Sequence, residues 1–537
     1  LRVLRLGQGF CGELDDMIQE IKKIIQKDIP SGIELELQAS DKPEFGDYFT
    51  NVAFQLVPMM KKSPFEIAKE LAQKFSGHPE FSKVEAIAPG FINFHLAPEF
   101  LQNEVKTILK TKKKYGVNKV SPALKINLEF VSANPTGPLT MANGRGGFYG
   151  DVLGNVLEKV GHKVTKEYYV NDAGNQVRLL GESILAVAGH PSAGGPAAGN
   201  HYKGVYIKTL EKKLKPKNGV DPETLGKKAA VILLKEIRAS LKKAGINHKV
   251  WFSEDKNLHK KKELDKVLAA LRVKNRTEKK DGAEWLGDNV LIKSDGNSTY
   301  FLADLAYHYD KFIKRKFDVA IDIWGADHHG YIARMKNGVE ALGIDSKKLQ
   351  ILITQLVRLI KDGQEVKMSK RTGEFITLDE LIREVGKDAA RFFFLMHSLD
   401  THMDFDMGLA KEKSQKNPVF YVQYAYVRVI NILAKSGKRK TKKINFDLLK
   451  SESEQKLIRE MVRLPDVIAQ TAKDYQVNRL TTYTTELARA FHNFYEKERV
   501  VGVGEELEAA RVGLMNALKI VLENVFDLME ISTPKKM

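Results

Sequence analysis

The stretch from Leu124 to His162, "LKINLEFVSANPTGPLTMANGRGGFYGDVLGNVLEKVGH", constrains the fold more than any other part of this sequence. Its apolar run at 125–131 reads as a buried strand, a Pro/Gly turn follows, and a long helix begins near Gly144. A second buried strand is expected at 164–170. Strand, tight turn and helix form a nucleotide-binding layout, because a helix N-terminus offers unpaired N–H groups and a partial positive charge to a phosphate. Gly144, Gly146 and Gly147 place small residues where backbone must approach something closely. Thr140 and Asn143 stand three apart, so they point the same way from the first turn, and both can donate hydrogen bonds to phosphate oxygens. The same stretch also reads as a glycine-rich strand–helix turn that binds nothing.

Further buried strands are expected at 318–324 and 350–354, so residues 113–407 read as a parallel α/β domain. A Lys-rich helical insertion occupies about 200–280 of it, after the loop "GHPSAGGPAAGN". Residues 1–112 read as a compact α+β domain. Helical periodicity covers 14–27, "GIELELQAS" alternates like a strand, and "VEAIAPGFINFHLA" makes two strands around a Pro-Gly turn. "SPFEIAKELAQKF" is a helix with Ser63 as N-cap and Pro64 at its first position. Only helices are expected over 408–537, with "GKRKTKK" as an exposed basic loop. A chain of 537 residues is too long for one core, and three domains suit it.

Cys11 is the only cysteine, which rules out an internal disulfide or a zinc cluster of cysteines and fits a reducing cytoplasm. No apolar run reaches membrane-span length, and the N-terminal residues show no secretory h-region. The net charge of +18, from 86 basic and 68 acidic residues, attracts polyanions, nucleic acid first among them. A merely lysine-rich enzyme has the same balance.

Two other clusters carry chemistry. Lys367-Met368-Ser369-Lys370 lies in a loop closed by Gly373; two lysines three apart can bracket a triphosphate and stabilise departing pyrophosphate. Alone, it is equally a solvated basic loop. "NSTYFLADLAYHYDK" sets Tyr300 and Asp304 one helical turn apart, a ring and a carboxylate on one face, suited to a planar cation. Asp304 fits a cap or a salt bridge as well. Glu129, Ser132 and Asn134 cluster at the end of the first strand; Asp327, His328 and His329 follow the strand at 318–324, at the carboxyl edge where open α/β sheets bind ligands. The histidine pair also fits a core or a metal, but no third ligand stands at a persuasive spacing, so no metal site is expected.

"EFVSANPTGPL" with "GRGGFYGDVLGNVLEKVGHKVTKEYYVNDAGNQ" and the intact KMSK resembles the arginyl-tRNA synthetase family, of class I. "FGDYFTNVAFQL", "APGFINFHL", "DAARFF" and the ending "ISTPKKM" extend the resemblance from about residue 14 to 537, the central insertion excepted. Where the family usually has His-x-Gly-His, this sequence has Thr140-Met141-Ala142-Asn143. Tryptophanyl relatives in the class often carry Thr and Asn there. Ala142 is the sharper departure, since the family's Gly lets adenine pack on bare backbone and a methyl is expected to crowd it.

The resemblance implies a Rossmann-like catalytic core (113–407), an N-terminal domain (1–112) that touches the tRNA elbow, and a C-terminal all-α anticodon-binding bundle (408–537). It implies an arginine–tRNA ligase acting on arginine, ATP with Mg²⁺ on its phosphates, and tRNA(Arg), as a cytoplasmic monomer with no membrane partner. It assigns catalysis to Thr140, Asn143, Lys367 and Lys370. ATP is bordered by Pro135, Gly137, Ala142, Gly144, Gly325, His328, Met368 and Ser369. Glu129, Tyr300 and Asp304 hold the guanidinium, with Ser132, Asn134 and Asp327 toward the rest of the arginine. Phe91 and Asn93, two apart on one strand face, suit stacking on and reading of an RNA base, though Phe91 in the core fits equally. Tyr424, Met537 and, more weakly, Tyr495 face the anticodon loop, with Arg428, Lys438 and Arg439 for phosphates. The alternative is a synthetase-like tRNA-binding protein that has lost adenylation, a reading supported by Ala142 and opposed by the intact KMSK and the filled arginine pocket.

Overall fold

The computed structural model describes residues 17–33, 35–40, 43–117, 120–190, 201–361, 363–366, 375–437 and 444–537. Cys11, most of the loop at 189–200, Lys367 to Lys370, Lys438 and Arg439 lie outside the described residues. The chain divides into two compact units. One is central, 123–158 with 162–413; the other joins the described residues up to Pro122 with 159–161 and 414–537. The sequence suggests three segments, and compactness groups the first with the third.

In the central unit, Lys125–Glu129 (β1), Lys163–Val170 (β2), Val250–Ser253 (β3), Val319–Gly325 (β4) and Leu349–Thr354 (β5) form a parallel sheet in the order β5-β4-β1-β2-β3. The chain winds outward from β1 to one edge and then returns to build the other, so the order reverses between β1 and β4. That reversal opens a crevice at the strands' carboxyl ends. Four of the five strands lie where the sequence puts them. The fifth, β3, comes from within the stretch read as an insertion: "VWFS" is too short and too flanked by charge to stand out.

Met141–Lys159 (α1) follows β1 and is buried along most of its length. Its glycines serve packing: a Cβ at Gly150 would lie 2.4 Å from the Phe130 ring, and one at Gly147 would lie 2.8 Å from Ile246 Cδ1. Asp151 on α1 pairs with Lys166 of β2 at 2.7 Å and with Arg391, which fastens the helix on two sides. Asn175–Val187 (α2) and Pro222–Lys243 (α3) cross with their backbones touching at Gly181 and Gly226. A Cβ at either would fall 1.8 Å from a carbonyl oxygen of the other helix. Tyr300–Tyr309 (α4) packs beside β4.

In the other unit, a four-stranded antiparallel sheet runs in the order Leu37–Ala39, Tyr48–Thr50, Phe91–Leu96, Phe81–Ile87. One face packs Phe94 and Phe81 on the helix Pro64–Phe75. That helix starts as expected: Ser63 Oγ accepts from Glu66 N, Glu66 reaches back to Ser63 N, and Pro64 is first. The helices from Pro418 to Met529 build the rest, and Pro98–Thr111 packs among them. Asp466, 98% buried, accepts from Ile18 N at 3.2 Å and from the Tyr48 hydroxyl at 2.6 Å, tying the two ends of the chain together.

Candidate active site

The turn after β1 is strained and held. Val131 (φ 69°) and Ser132 (φ 36°) lie in the left-handed region, which a β-branched valine rarely enters. Such outliers persist only where their surroundings over-determine them, and they cluster at functional sites. Ser132 Oγ donates to Glu129 Oε1 and accepts from Tyr169 N, both at 3.0 Å. The Tyr168 hydroxyl donates to Ala133 O at 2.7 Å, and His248 Nε2 donates to Phe130 O at 3.2 Å. The chain then passes exposed Asn134, buried Pro135 and half-buried Gly137, whose Cβ position lies 3.4 Å from the Tyr206 ring.

At the head of α1, Thr140 donates twice to Asn143 Oδ1, from its N–H at 2.9 Å and its hydroxyl at 3.0 Å. The two expected phosphate donors are therefore bonded to each other. The Thr140 proton is engaged, and the half-buried Asn143 keeps its amide Nδ2 protons to give. Backbone pins this turn to the segment that follows the lysine loop: Met141 N donates to Ile376 O and Leu378 N to Leu139 O, both at 2.9 Å, around a Thr140–Thr377 bridge. Thr377 in turn caps the helix Leu378–Val385 with Glu380. At the buried Gly144 a Cβ would stand 3.0 Å from Leu378 Cδ1, so a side chain there would require Leu378 to yield. Ala142 is exposed, so its methyl displaces no neighbour among the described residues.

Across the crevice the chemistry is ionic. Register sets Glu129 of β1 directly beside Asp322 of β4. Lys311, fully buried, lies between them, 2.8 Å from Glu129 Oε2 and 2.7 Å from Asp322 Oδ1. His308 Nε2 meets Asp322 Oδ2 at 2.8 Å, and its Nδ1 meets Asp304 O at 2.8 Å. Burial works to raise Asp322, but Lys311 and His308 outweigh it and hold its carboxyl at about 2. Burial pushes Glu129 up against the opposing pull of Lys311. Asp304 is half-buried, and only the Tyr331 hydroxyl, at 2.7 Å, bonds its carboxylate among the described residues. Burial pushes Asp304 up to about 6 against that hydrogen bond. Tyr300 stands 61% exposed one turn before it, and Tyr331 packs between Trp324 and Phe301.

The turn Ala326–Tyr331 leaves Asp327, His328 and His329 exposed. Asp327 Oδ1 lies 2.5 Å from where a Cβ on Gly325 would be, so a side chain there would displace the exposed Asp327 carboxylate. His328 pairs loosely with Asp327 at 3.6 Å. Among the described residues, no three His, Cys, Asp or Glu side chains gather as a metal set. The residues overlooked in the sequence are His308, Lys311, Asp322 and Tyr331. A signal existed for two of them: Tyr300, Asp304, His308 and Lys311 recur at helical spacing on one face.

In the other unit, Phe91 meets Phe49 and Phe54 edge-on at 6.1 and 5.6 Å, on the sheet face away from the Phe94 core. Asn93 shares that face but is only 4% exposed. On the helical side, the Arg428 guanidinium lies between the Tyr424 and Tyr495 rings, 4.4 and 4.6 Å from their centres, and donates to the Tyr424 hydroxyl at 2.9 Å. Tyr495 is 42% and Met537 48% exposed, so the two tyrosines join in one surface cluster and Met537 is open to solvent.

The crevice fold, with its capped turn on one side and its acid-lined pocket on the other, is that of a class I aminoacyl-tRNA synthetase core. Over 97% of its length the chain is 40% identical to the arginine–tRNA ligase of Thermotoga petrophila, covering 99% of that protein. It is 39% identical to that of Bacillus subtilis, with the same two shares. The chain belongs to the arginyl-tRNA synthetase family. Residues 14–96 match the family described as "Arginyl tRNA synthetase N terminal domain", and 422–537 match the "DALR anticodon binding domain". Among solved structures, an arginyl-tRNA synthetase assignment from Campylobacter jejuni superposes with TM-score 0.74 at 34% identity, over 82% of this chain and all of that one. The arginyl-tRNA synthetase of Thermus thermophilus gives 0.78 over 97% of this chain and all of that one; at 19% identity it speaks to fold alone.

Proposed function

We propose that this chain is an arginine–tRNA ligase that activates arginine with ATP and transfers it to tRNA(Arg). The observation that carries the reading is Asp304: a half-buried carboxylate bonded by one tyrosine, with an exposed aromatic ring one helical turn before it, suits a planar cation. Arginine's carboxylate attacks the α-phosphorus of ATP, giving arginyl-adenylate and pyrophosphate; the terminal 2′-hydroxyl of tRNA then attacks the adenylate carbonyl and AMP leaves. No protein nucleophile is required. The chain's own work is positioning and charge stabilisation.

In this reading Thr140 is a positioning residue, holding Asn143 so that its amide meets the phosphates, and Lys367 and Lys370 stabilise the leaving pyrophosphate. Pro135, Gly137, Ala142, Gly144, Gly325, His328, Met368 and Ser369 border the nucleotide. Mg²⁺ arrives on the phosphates of ATP, whose charge it shields. Glu129, Tyr300 and Asp304 take the guanidinium end; Ser132, Asn134 and Asp327 take the other. Segments 1–112 and 408–537 carry the RNA contacts, through Phe91 and Asn93 in the first and Tyr424, Tyr495 and Met537 in the second, around the core 113–407. A monomer in the cytoplasm fits the family. Among the described residues no helix is long and apolar enough to cross a membrane. Ala142, the support of the non-adenylating alternative, meets no obstruction. The test is aminoacylation of tRNA with ATP and either arginine or lysine. Charging with arginine alone is expected; tRNA binding without any charging would overturn the proposal.

A further inference from the structure

Two carboxylates side by side on adjacent parallel strands repel each other in a medium of low dielectric, and Glu129 and Asp322 are so placed. The chain answers with Lys311 and His308. Lys311 Nζ bridges the pair and has no exposed surface. His308 is 2% exposed, and both its ring nitrogens face oxygen acceptors: Nδ1 the Asp304 carbonyl, Nε2 the Asp322 carboxylate. Lys311 thus bonds both carboxylates, and His308 adds a hydrogen-bonding contact to Asp322. The two acids share one buried ammonium. Beside them, Glu167 and Asp310 share the single guanidinium of Arg315, and Glu167 also accepts from the Tyr307 hydroxyl. Asp304 precedes His308 and Lys311 at helical spacing, its carbonyl meets His308 Nδ1, and no cation bonds its carboxylate among the described residues.

We propose that Lys311 is a specificity-determining positioning residue: by holding the Glu129 and Asp322 carboxylates on one buried ammonium, with His308 hydrogen-bonded to Asp322, it leaves Asp304 as the carboxylate that receives one side-chain cation. Glu129 still lends hydrogen-bond capacity to the substrate through its open tenth of surface, while its charge is shared with Lys311. The inference rests on the arginine reading of this pocket. It adds that selectivity depends on the charge count of residues the substrate does not touch. Without Lys311 the buried acids carry a surplus charge, and the site relieves it by taking up a proton or a second cation, either of which competes with a correctly seated guanidinium.

The experiment compares the full chain with Lys311→Met and with the charge-balanced Lys311→Met/Asp322→Asn, each checked for folding by circular dichroism. Arginine-dependent pyrophosphate exchange is measured with tRNA present. The single variant is expected to raise the KM for arginine on the order of tenfold or more, with the KM for ATP unchanged within about twofold. The double variant is expected to recover most of that loss, because removing one acid along with the lysine returns the buried net charge to its wild-type value. A lysine needed only for packing gives no such recovery. An unchanged arginine KM in the single variant, or a double variant no better than the single, overturns the proposal. If the single variant does not fold, the double decides alone: an arginine KM within about threefold of wild type supports the inference, and a loss of about tenfold overturns it. Asp304→Asn separates the two levels. If it leaves arginine binding intact, the pocket reading itself fails; if it abolishes binding while the Lys311 variants behave as wild type, only the Lys311 inference falls.

Discussion

The two sides of the crevice are built by different means. On the nucleotide side the turn over α1 is fixed by neutral hydrogen bonds, many of them from backbone: Met141 to Ile376, Leu378 to Leu139, Thr140 to Asn143. On the amino-acid side, Glu129, Asp322 and Lys311 are buried charged groups that bond one another, with His308 hydrogen-bonded to Asp322. Backbone bonds do not depend on which side chain a position carries. That explains how a turn in a family that writes His-x-Gly-His can read Thr140-Met141-Ala142-Asn143 and keep its shape. Buried charge has no such latitude, because removing one partner leaves the other uncompensated.

The sharpest break of this contrast is Asp304→Asn. It should weaken arginine binding by about 3 kcal/mol, roughly a hundredfold, with ATP binding preserved, since the guanidinium loses its counter-charge. Isothermal titration in the presence of tRNA reads it, and unchanged affinity would refute the ionic account of this side. Next comes Lys370→Ala, expected to slow adenylate formation on the order of a hundredfold while leaving arginine affinity nearly constant; equal losses in both would count against a leaving-group role. Smaller again is a pH effect. Asp304 titrates at about 6 in the free protein, and a guanidinium binds its ionised form. Arginine affinity should therefore be flat above that value and fall about tenfold for each unit below it, as a proton comes to occupy the carboxylate. The slope should vanish in Asp304→Asn; if it persists there, another group is titrating. The mildest change is Ala142→Gly. With the methyl exposed and unopposed, ATP KM should move by less than about threefold, which pyrophosphate exchange can resolve; a larger gain would show that the methyl does crowd the base.

Much of this was readable in advance, for physical reasons. Four sheet strands announced themselves because parallel strands buried on both faces make continuous apolar runs, and Ser63-Pro64 marked a helix start because capping chemistry is local. Val250–Ser253 escaped because an edge strand of four residues has too little pattern. The glycines of α1 were read as room for a ligand, yet Gly147 and Gly150 make room for Ile246 and Phe130. Tyr300 and Asp304 were visible; His308 and Lys311, further along the same stripe, were not, because a lysine in a charged helix normally points to water. Only the register of β1 against β4 shows what it neutralises. The joining of the chain's two ends left no local trace at all, since its contacts link residues more than four hundred positions apart.

That joining has a consequence for how the chain comes into being on the ribosome. Residues 123–413 hold their sheet within one continuous stretch, apart from 159–161, so this unit can close while the remainder is still being made. The N-terminal segment is synthesised first but cannot be finished first. The Tyr48 hydroxyl and the Ile18 amide, both bound for burial, meet their acceptor only when Asp466 emerges. What is translated earliest must wait for what is translated last.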